Sequence, residues 1–117
     1  MAGFTSGADR VDCRVWLKYK ANGTPSIYDD FNVASVTDHG AGDFSVIIDT
    51  DMSTASYCAL ATAGRHAGGY VNAVHVREDA DPYSVGGIRF NHKFQDPTGS
   101  GPTLTDTQYM NVAIFGN

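Results

Sequence analysis

From residue 11 to residue 20 the chain alternates without a break. Val11, Cys13, Val15, Leu17 and Tyr19 fall on one side, and Asp12, Arg14, Trp16, Lys18 and Lys20 on the other. A period of two is the spacing of a half-buried β-strand, whose successive side chains point to opposite faces of a sheet. The same pattern returns in 44–50, where Phe44, Val46 and Ile48 are set to face inward and Ser45 and Asp49 outward. Further strands are expected at 26–28, 31–37, 57–62, 70–77, 88–95 and 108–115. No stretch of about a dozen residues keeps apolar side chains at i, i+3, i+4 and i+7, so helix is expected to be almost absent.

Turn chemistry separates the strands. Asn22-Gly23-Thr24-Pro25 closes the first, and Gly40 and Gly42, between Asp38 and Asp43, supply the positive φ angles of a tight hairpin. Seven to eight short strands joined in this way predict an all-β fold, an antiparallel, jelly-roll-like β-sandwich. At 117 residues the chain is expected to be a single domain, 1–117, with a short N-terminal arm at 1–10.

Composition narrows the classes of function. A hydrophobic content of 42% is enough for a core and excludes disorder as the overall state. A net charge of −5 argues against nucleic acid, whose phosphates require a positive surface. No apolar run approaches the ~18 residues of a membrane-spanning helix. The opening residues, with neither a basic region nor an apolar one, are not expected to be a secretory signal. Cys13 and Cys58 do not form a CxxC pair and are expected to be small, buried, reduced thiols.

The residues able to do chemistry lack the spacing it needs. Of His39, His66, His75 and His92, the nearest two are nine residues apart, unlike the close ligand pairs of zinc sites. Asp38, Asp43, Asp49 and Asp51 do not follow the regular pattern of a calcium loop. Glu78, Asp79 and Asp81 read as a solvated acidic loop. No G-x-S-x-G elbow is present. The expectation is a protein that is not an enzyme, with no catalytic residues, cofactor or metal. The aromatic residues are more informative. Trp16 sits out of phase with the apolar face of its strand, and Tyr70, Tyr83 and Tyr109 border the loops, where a ring can contact a partner or stack on a sugar.

A set of these residues forms a pattern. It comprises Cys13-Arg14-Val15-Trp16-Leu17, Asn22-Gly23-Thr24, the run from Phe31 to Asp38, Gly40-Ala41-Gly42-Asp43-Phe44-Ser45-Val46, Met52 and Tyr57. The closing Val112-Ala113-Ile114-Phe115-Gly116 belongs with it. Together these resemble a module of tailed-bacteriophage proteins, often found near the distal end of tail fibres. The likeness covers about the first 60 residues and the last few, and leaves the middle, 63–109, unmatched. The resemblance implies a virion structural protein, either a stand-alone tail-fibre-type module or a capsid decoration protein, acting in particle stabilisation or host attachment. It also implies a homotrimer assembled in the host bacterial cytoplasm, with other virion proteins and a host-surface glycan as partners. With no shaft or adaptor ahead of the module, a protein docked on capsid or tail is expected beside a fibre tip. A free carbohydrate-binding module is the alternative.

Alternation also leaves apolar side chains on faces assigned to solvent: Trp16, Val36, Ile47 and Leu60, with Met110, Val112 and Ile114 in the last strand. Val33 and Val36 fall on opposite sides of their strand, so one of them is expected to pack outside the core. Trp16, Val36, Val112 and Ile114 are therefore the candidate subunit-interface residues, and Tyr70, Tyr83 and Tyr109 the candidate loop contacts.

Overall fold

The computed structural model describes residues 12–64, 71–77, 80–95 and 102–116. Among them the chain forms ten strands and no helix. The first five are β1 (Asp12–Lys20), β2 (Ser26–Phe31), β3 (Val33–Gly40), β4 (Asp43–Ile48) and β5 (Cys58–Gly64). The others are β6 (Val71–Val76), β7 (Tyr83–Ser84), β8 (Gly87–Gln95), β9 (Pro102–Leu104) and β10 (Tyr109–Gly116). They build two antiparallel sheets. One runs β2–β1–β10–β5; the other runs β3–β4–β8–β6, with β7 and β9 also paired to β8. The β-sandwich expected from alternation is the fold. It has ten strands rather than seven or eight, because β7 and β9 are short pieces with too few residues to show a period.

The core lies between the sheets. Val15, Leu17 and Tyr19 of β1 and Met110, Val112 and Ile114 of β10 meet Phe44, Val46 and Ile48 of β4 and Ile88 and Phe90 of β8. Phe44 is the hinge of this packing, with its ring 5.5 Å from that of Phe90 and 5.6 Å from that of Tyr19. Offset ring pairs at such distances stabilise a core beyond simple area burial.

Three expectations fail here, each for a reason of register. Val112 and Ile114 are buried, at 3% and 0% exposure, and Met110 with them. They pair with Leu17, Val15 and Tyr19 across β1 and β10, so they share the inward face, and Asn111, Ala113 and Phe115 point outward instead. Val36 is also not an outward residue. A bulge between Val33 and Ser35 resets the phase, so that Val33 opposite Ile48 and Val36 opposite Val46 both pack against the core. A second bulge, between Cys13 and Val15, takes Cys13 off the inward face of Val15. Cys13 and Cys58 are accordingly free and exposed rather than buried. The N-terminal arm 1–10, together with Val11, His66 and Tyr70 and the acidic Glu78 and Asp79, lies outside the described residues.

The first of the chain's passages between the sheets takes a single residue. Phe31 ends β2, Val33 begins β3, and Asn32 between them has φ 59°. Its Nδ2 donates to the carbonyls of Arg14 (3.2 Å) and Thr50 (3.1 Å), and its Oδ1 accepts the Thr50 N–H at 2.7 Å. Its own carbonyl accepts the Asp49 N–H at 3.1 Å. Asparagine is among the few side-chain-bearing residues that tolerate this left-handed conformation. Here the amide also ties β1 to the end of β4.

Other residues of the sequence pattern have framework roles as well. Gly42, at φ 63°, turns the β3–β4 hairpin where a Cβ would collide with the backbone of His92 and Thr105. Asp43 forms a two-pronged ion pair with Arg89, at 2.8 and 2.7 Å, joining β4 to β8. That pairing lowers the Asp43 carboxyl below its usual range. The Tyr57 hydroxyl lies 2.9 Å from the Ser84 carbonyl and 2.8 Å from the Gly87 carbonyl, closing the β7–β8 turn. A Cβ on Gly116 would come within 3.0 Å of Tyr57 and 3.3 Å of Met52, so a side chain there would press on both.

Two outcomes follow from this framework. Replacing Asn32 by Ala should cost about 2 kcal/mol in chemical denaturation, and replacing it by Gly, which keeps the backbone angle, about 1 kcal/mol; equal losses would mean the angle is irrelevant. Burial pushes the Tyr57 hydroxyl up to about 12 from its ordinary value of 10.0. The neutral phenol therefore contributes stability that is complete below pH ~10 and lost as the pH rises toward ~12. Tyr57→Phe should lower stability at neutral pH by about 1 kcal/mol and flatten this alkaline decline, as followed by denaturation at stepped pH.

Candidate assembly surface

The outward face of the β2–β1–β10–β5 sheet is where the sequence pattern leaves its apolar surplus. Register aligns Phe31, Trp16, Ala113 and Leu60 in one row across all four strands. Phe31 is 54% exposed, Trp16 39% and Leu60 57%, so this row is open to solvent in the isolated chain. Beside it runs a second row, Cys13, Phe115 and Cys58. The two thiols flank Phe115 on opposite neighbouring strands, two strand spacings or roughly 10 Å apart. That exceeds the ~7 Å within which two cysteines can be bridged without moving the backbone.

On the other side of the apolar row, Lys18 lies over two tyrosine rings, 5.7 Å from the centre of Tyr28 and 5.3 Å from that of Tyr109. The rings are 5.8 Å apart. A cation held between two aromatic faces is drawn back onto the sheet rather than projected into solvent. Asn111 donates to the Thr62 hydroxyl at 3.2 Å in the same row. A shallow, open apolar depression of about 150 Å³ lies between β5 and β10, lined by Leu60, Ala61, Thr62, Asn111, Val112 and Ala113.

The structure sorts the candidate residues plainly. Trp16 lies at the centre of this face. Val36, Val112 and Ile114 belong to the core side of their strands, Val112 and Ile114 buried and Val36 partly so. Tyr109 is on the same face as Trp16, against Tyr28, instead of bordering a free loop. Tyr83 packs edge-on against Tyr57, with ring centres 5.4 Å apart, and serves the framework. Tyr70 lies outside the described residues. Phe31 escaped the reading of the sequence, because it is outward only by virtue of standing opposite Trp16, and strand pairing is not visible in a period. Its one available signal was its place at the junction of two strands.

A larger, more polar cleft of about 770 Å³ lies at the Asn32 corner, lined by Asp12, Arg14, Phe31, Asn32, Asp49 and Asp51 among others. Its carboxylates do not converge: among the described residues no three His, Cys, Asp or Glu side chains come together as a metal ion would require. The buried His92 is a framework group, its Nδ1 donating to the Thr105 carbonyl at 2.6 Å. In comparisons with protein-family models, curated proteins and solved structures, nothing matches the chain.

Proposed function

We propose that this chain is a bacteriophage virion structural protein, a β-sandwich of the tail-fibre type that self-associates on the particle surface and does no chemistry. The observation that carries this reading is the use to which the patterned residues are put. Asn32, Gly42, Asp43, Met52, Tyr57 and Gly116 are all spent on corners, turns and inter-strand ties. Much of the pattern thus serves the framework, and the patterned residues that do not, Trp16, Phe31, Ala113 and Phe115, share one outward sheet face. What is left for contact is the exposed apolar row Phe31, Trp16, Ala113 and Leu60 across all four strands, the kind of continuous patch that often marks a contact site.

Carbohydrate binding alone is less well supported by that face. A sugar site combines a ring with polar groups free to bond hydroxyls. Here the polar side chains beside the rings are already engaged, Lys18 with two tyrosines and Asn111 with Thr62. A three-fold assembly follows from the resemblance to fibre proteins, and a host-surface glycan or a virion neighbour then meets the remaining surface.

Quantitative mass spectrometry of purified phage particles made by a genome that encodes this chain tests the reading. The chain should be present in a fixed number of copies per particle that is a multiple of three. Its absence from particles, with abundant protein in the lysate, would contradict a virion role.

A further inference from the structure

We propose that the outward face of the β3–β4–β8–β6 sheet holds a phosphate group, bound between Arg77, Arg89 and the Ser45–His39 pair. This site lies on the opposite side of the sandwich from the apolar row, and it goes beyond the virion reading without depending on it. Register sets its parts side by side. Thr37 of β3 stands opposite Ser45 of β4, and Ser45 opposite Arg89 of β8. The Arg77 N–H donates to the Arg89 carbonyl at 3.1 Å, which carries the β6–β8 ladder one residue on and puts Arg77 beside Arg89. Phe44, Val46, Ile88 and Phe90 are buried in the core, so Ser45 and Arg89, between them in sequence, face outward with Thr37 and Arg77.

The charge on this face runs against that of the molecule. The chain has 13 Asp and Glu against 8 Lys and Arg. Among the described residues, the strands of this face carry Arg77, Arg89 and, further along β8, Lys93 outward, with Asp43 as the outward carboxylate. Like charges directly opposite one another on neighbouring strands are destabilising. Setting Arg77 beside Arg89 is therefore a departure from sheet-building rules of the kind that functional sites show. The face already holds one oxyanion. Asp43 takes two N–H groups of Arg89, at 2.8 and 2.7 Å. The Arg89 hydrogen bond and charge lower its carboxyl, and the charges of His39 and Arg77 act in the same direction. Positive groups from β3, β8 and the end of β6 thus converge on one place.

The number of donors selects the ligand. A guanidinium is a rigid fork of N–H groups matched to an oxyanion, and two of them stand here one strand spacing apart, about 4.8 Å. The Ser45 hydroxyl lies 2.8 Å from His39 Nε2, and the exposed Thr37 stands beyond it. A planar carboxylate is matched by one fork, as Asp43 is by Arg89. A phosphate monoester has three acceptor oxygens and nearly two negative charges, enough to take Arg77 and Ser45 on either side of Arg89. One phosphate fits better than a nucleic-acid backbone, because the basic cluster spans a few strands of a chain that carries −5.

Free phosphate and a phosphate carried on a sugar share this chemistry, and titration calorimetry with inorganic phosphate, glucose 6-phosphate and glucose separates them. The variants are Arg77→Gln and Ser45→Ala, checked for folding by circular dichroism, with Arg14→Gln, at the Asn32 corner, as control. Glucose 6-phosphate should bind and glucose should not. Affinity should fall about tenfold in Arg77→Gln, the loss of one charged fork, fall less in Ser45→Ala, and stay unchanged in Arg14→Gln. Inorganic phosphate binding as tightly as the sugar phosphate would support the same site with the free ion as its ligand. Binding of neither phosphate at millimolar concentration would overturn the site, and equal binding by the native chain and Arg77→Gln would overturn its placement. A single-stranded oligonucleotide binding more tightly than either phosphate would overturn the single-phosphate ligand. None of these results changes the copy number in the particle, so the virion role stands or falls separately.

Discussion

The geometry of Asn32 decides how the two sheets meet. A β-sandwich needs its chain to leave one sheet and enter the other, and most do so through a loop. Here the first such transfer takes one residue, held in a left-handed conformation that few side chains accept. The amide that accepts this conformation also bonds β1 and the segment after β4. That bond set fixes β2 and β3 as the two edge strands on one side of the sandwich, and it fixes Phe31, one residue before the corner, to the outward face beside Trp16. The apolar row on which assembly is proposed to rest is set by strand pairing, and its Phe31 end stands beside the corner.

A second constraint comes from β8. Its one edge is shared by β4 over Gly87–Asn91 and β9 over Lys93–Gln95, and its other edge by β7 and β6. Four strands depend on one. The Asp43–Arg89 ion pair, the buried His92 and the close approach of Gly42 all sit along it. The sheet that contains β8 is thus locked by specific polar contacts. Among the described residues the opposite sheet has four strands, and its outer face is tied by Lys18 with Tyr28 and Tyr109 and by Asn111 with Thr62. Apolar surface for contact is concentrated on the sheet with the simpler internal wiring.

Much of the fold was legible because alternation is a direct record of which face is buried. Leu17, Phe44, Val46 and Ile48 were placed correctly from period alone, and so was the hairpin at Gly40–Gly42. The errors have two physical sources. A bulge adds a residue without changing composition, and it reverses every later assignment on that strand. Ala34 and Arg14 are such residues, and they moved Val36 inward and Cys13 outward. Val112 and Ile114 were misassigned because a strand flanked on both sides, as β10 is, takes its facing from its partners. Phe31 and the depression at Ala113 were invisible for the same reason: they are properties of pairing, and pairing is long-range.

Trp16 is the chain's single tryptophan, it stands at the centre of the proposed contact, and it is partly open to solvent in the isolated chain. Its fluorescence across a dilution series, with acrylamide as quencher, reads the central claim without altering the protein. Assembly through this face predicts a shielded, blue-shifted emission at micromolar concentration that becomes red-shifted and quenchable on dilution, in step with the fall in mass. An emission and a quenching constant unchanged over the whole series, while the mass falls, would contradict it.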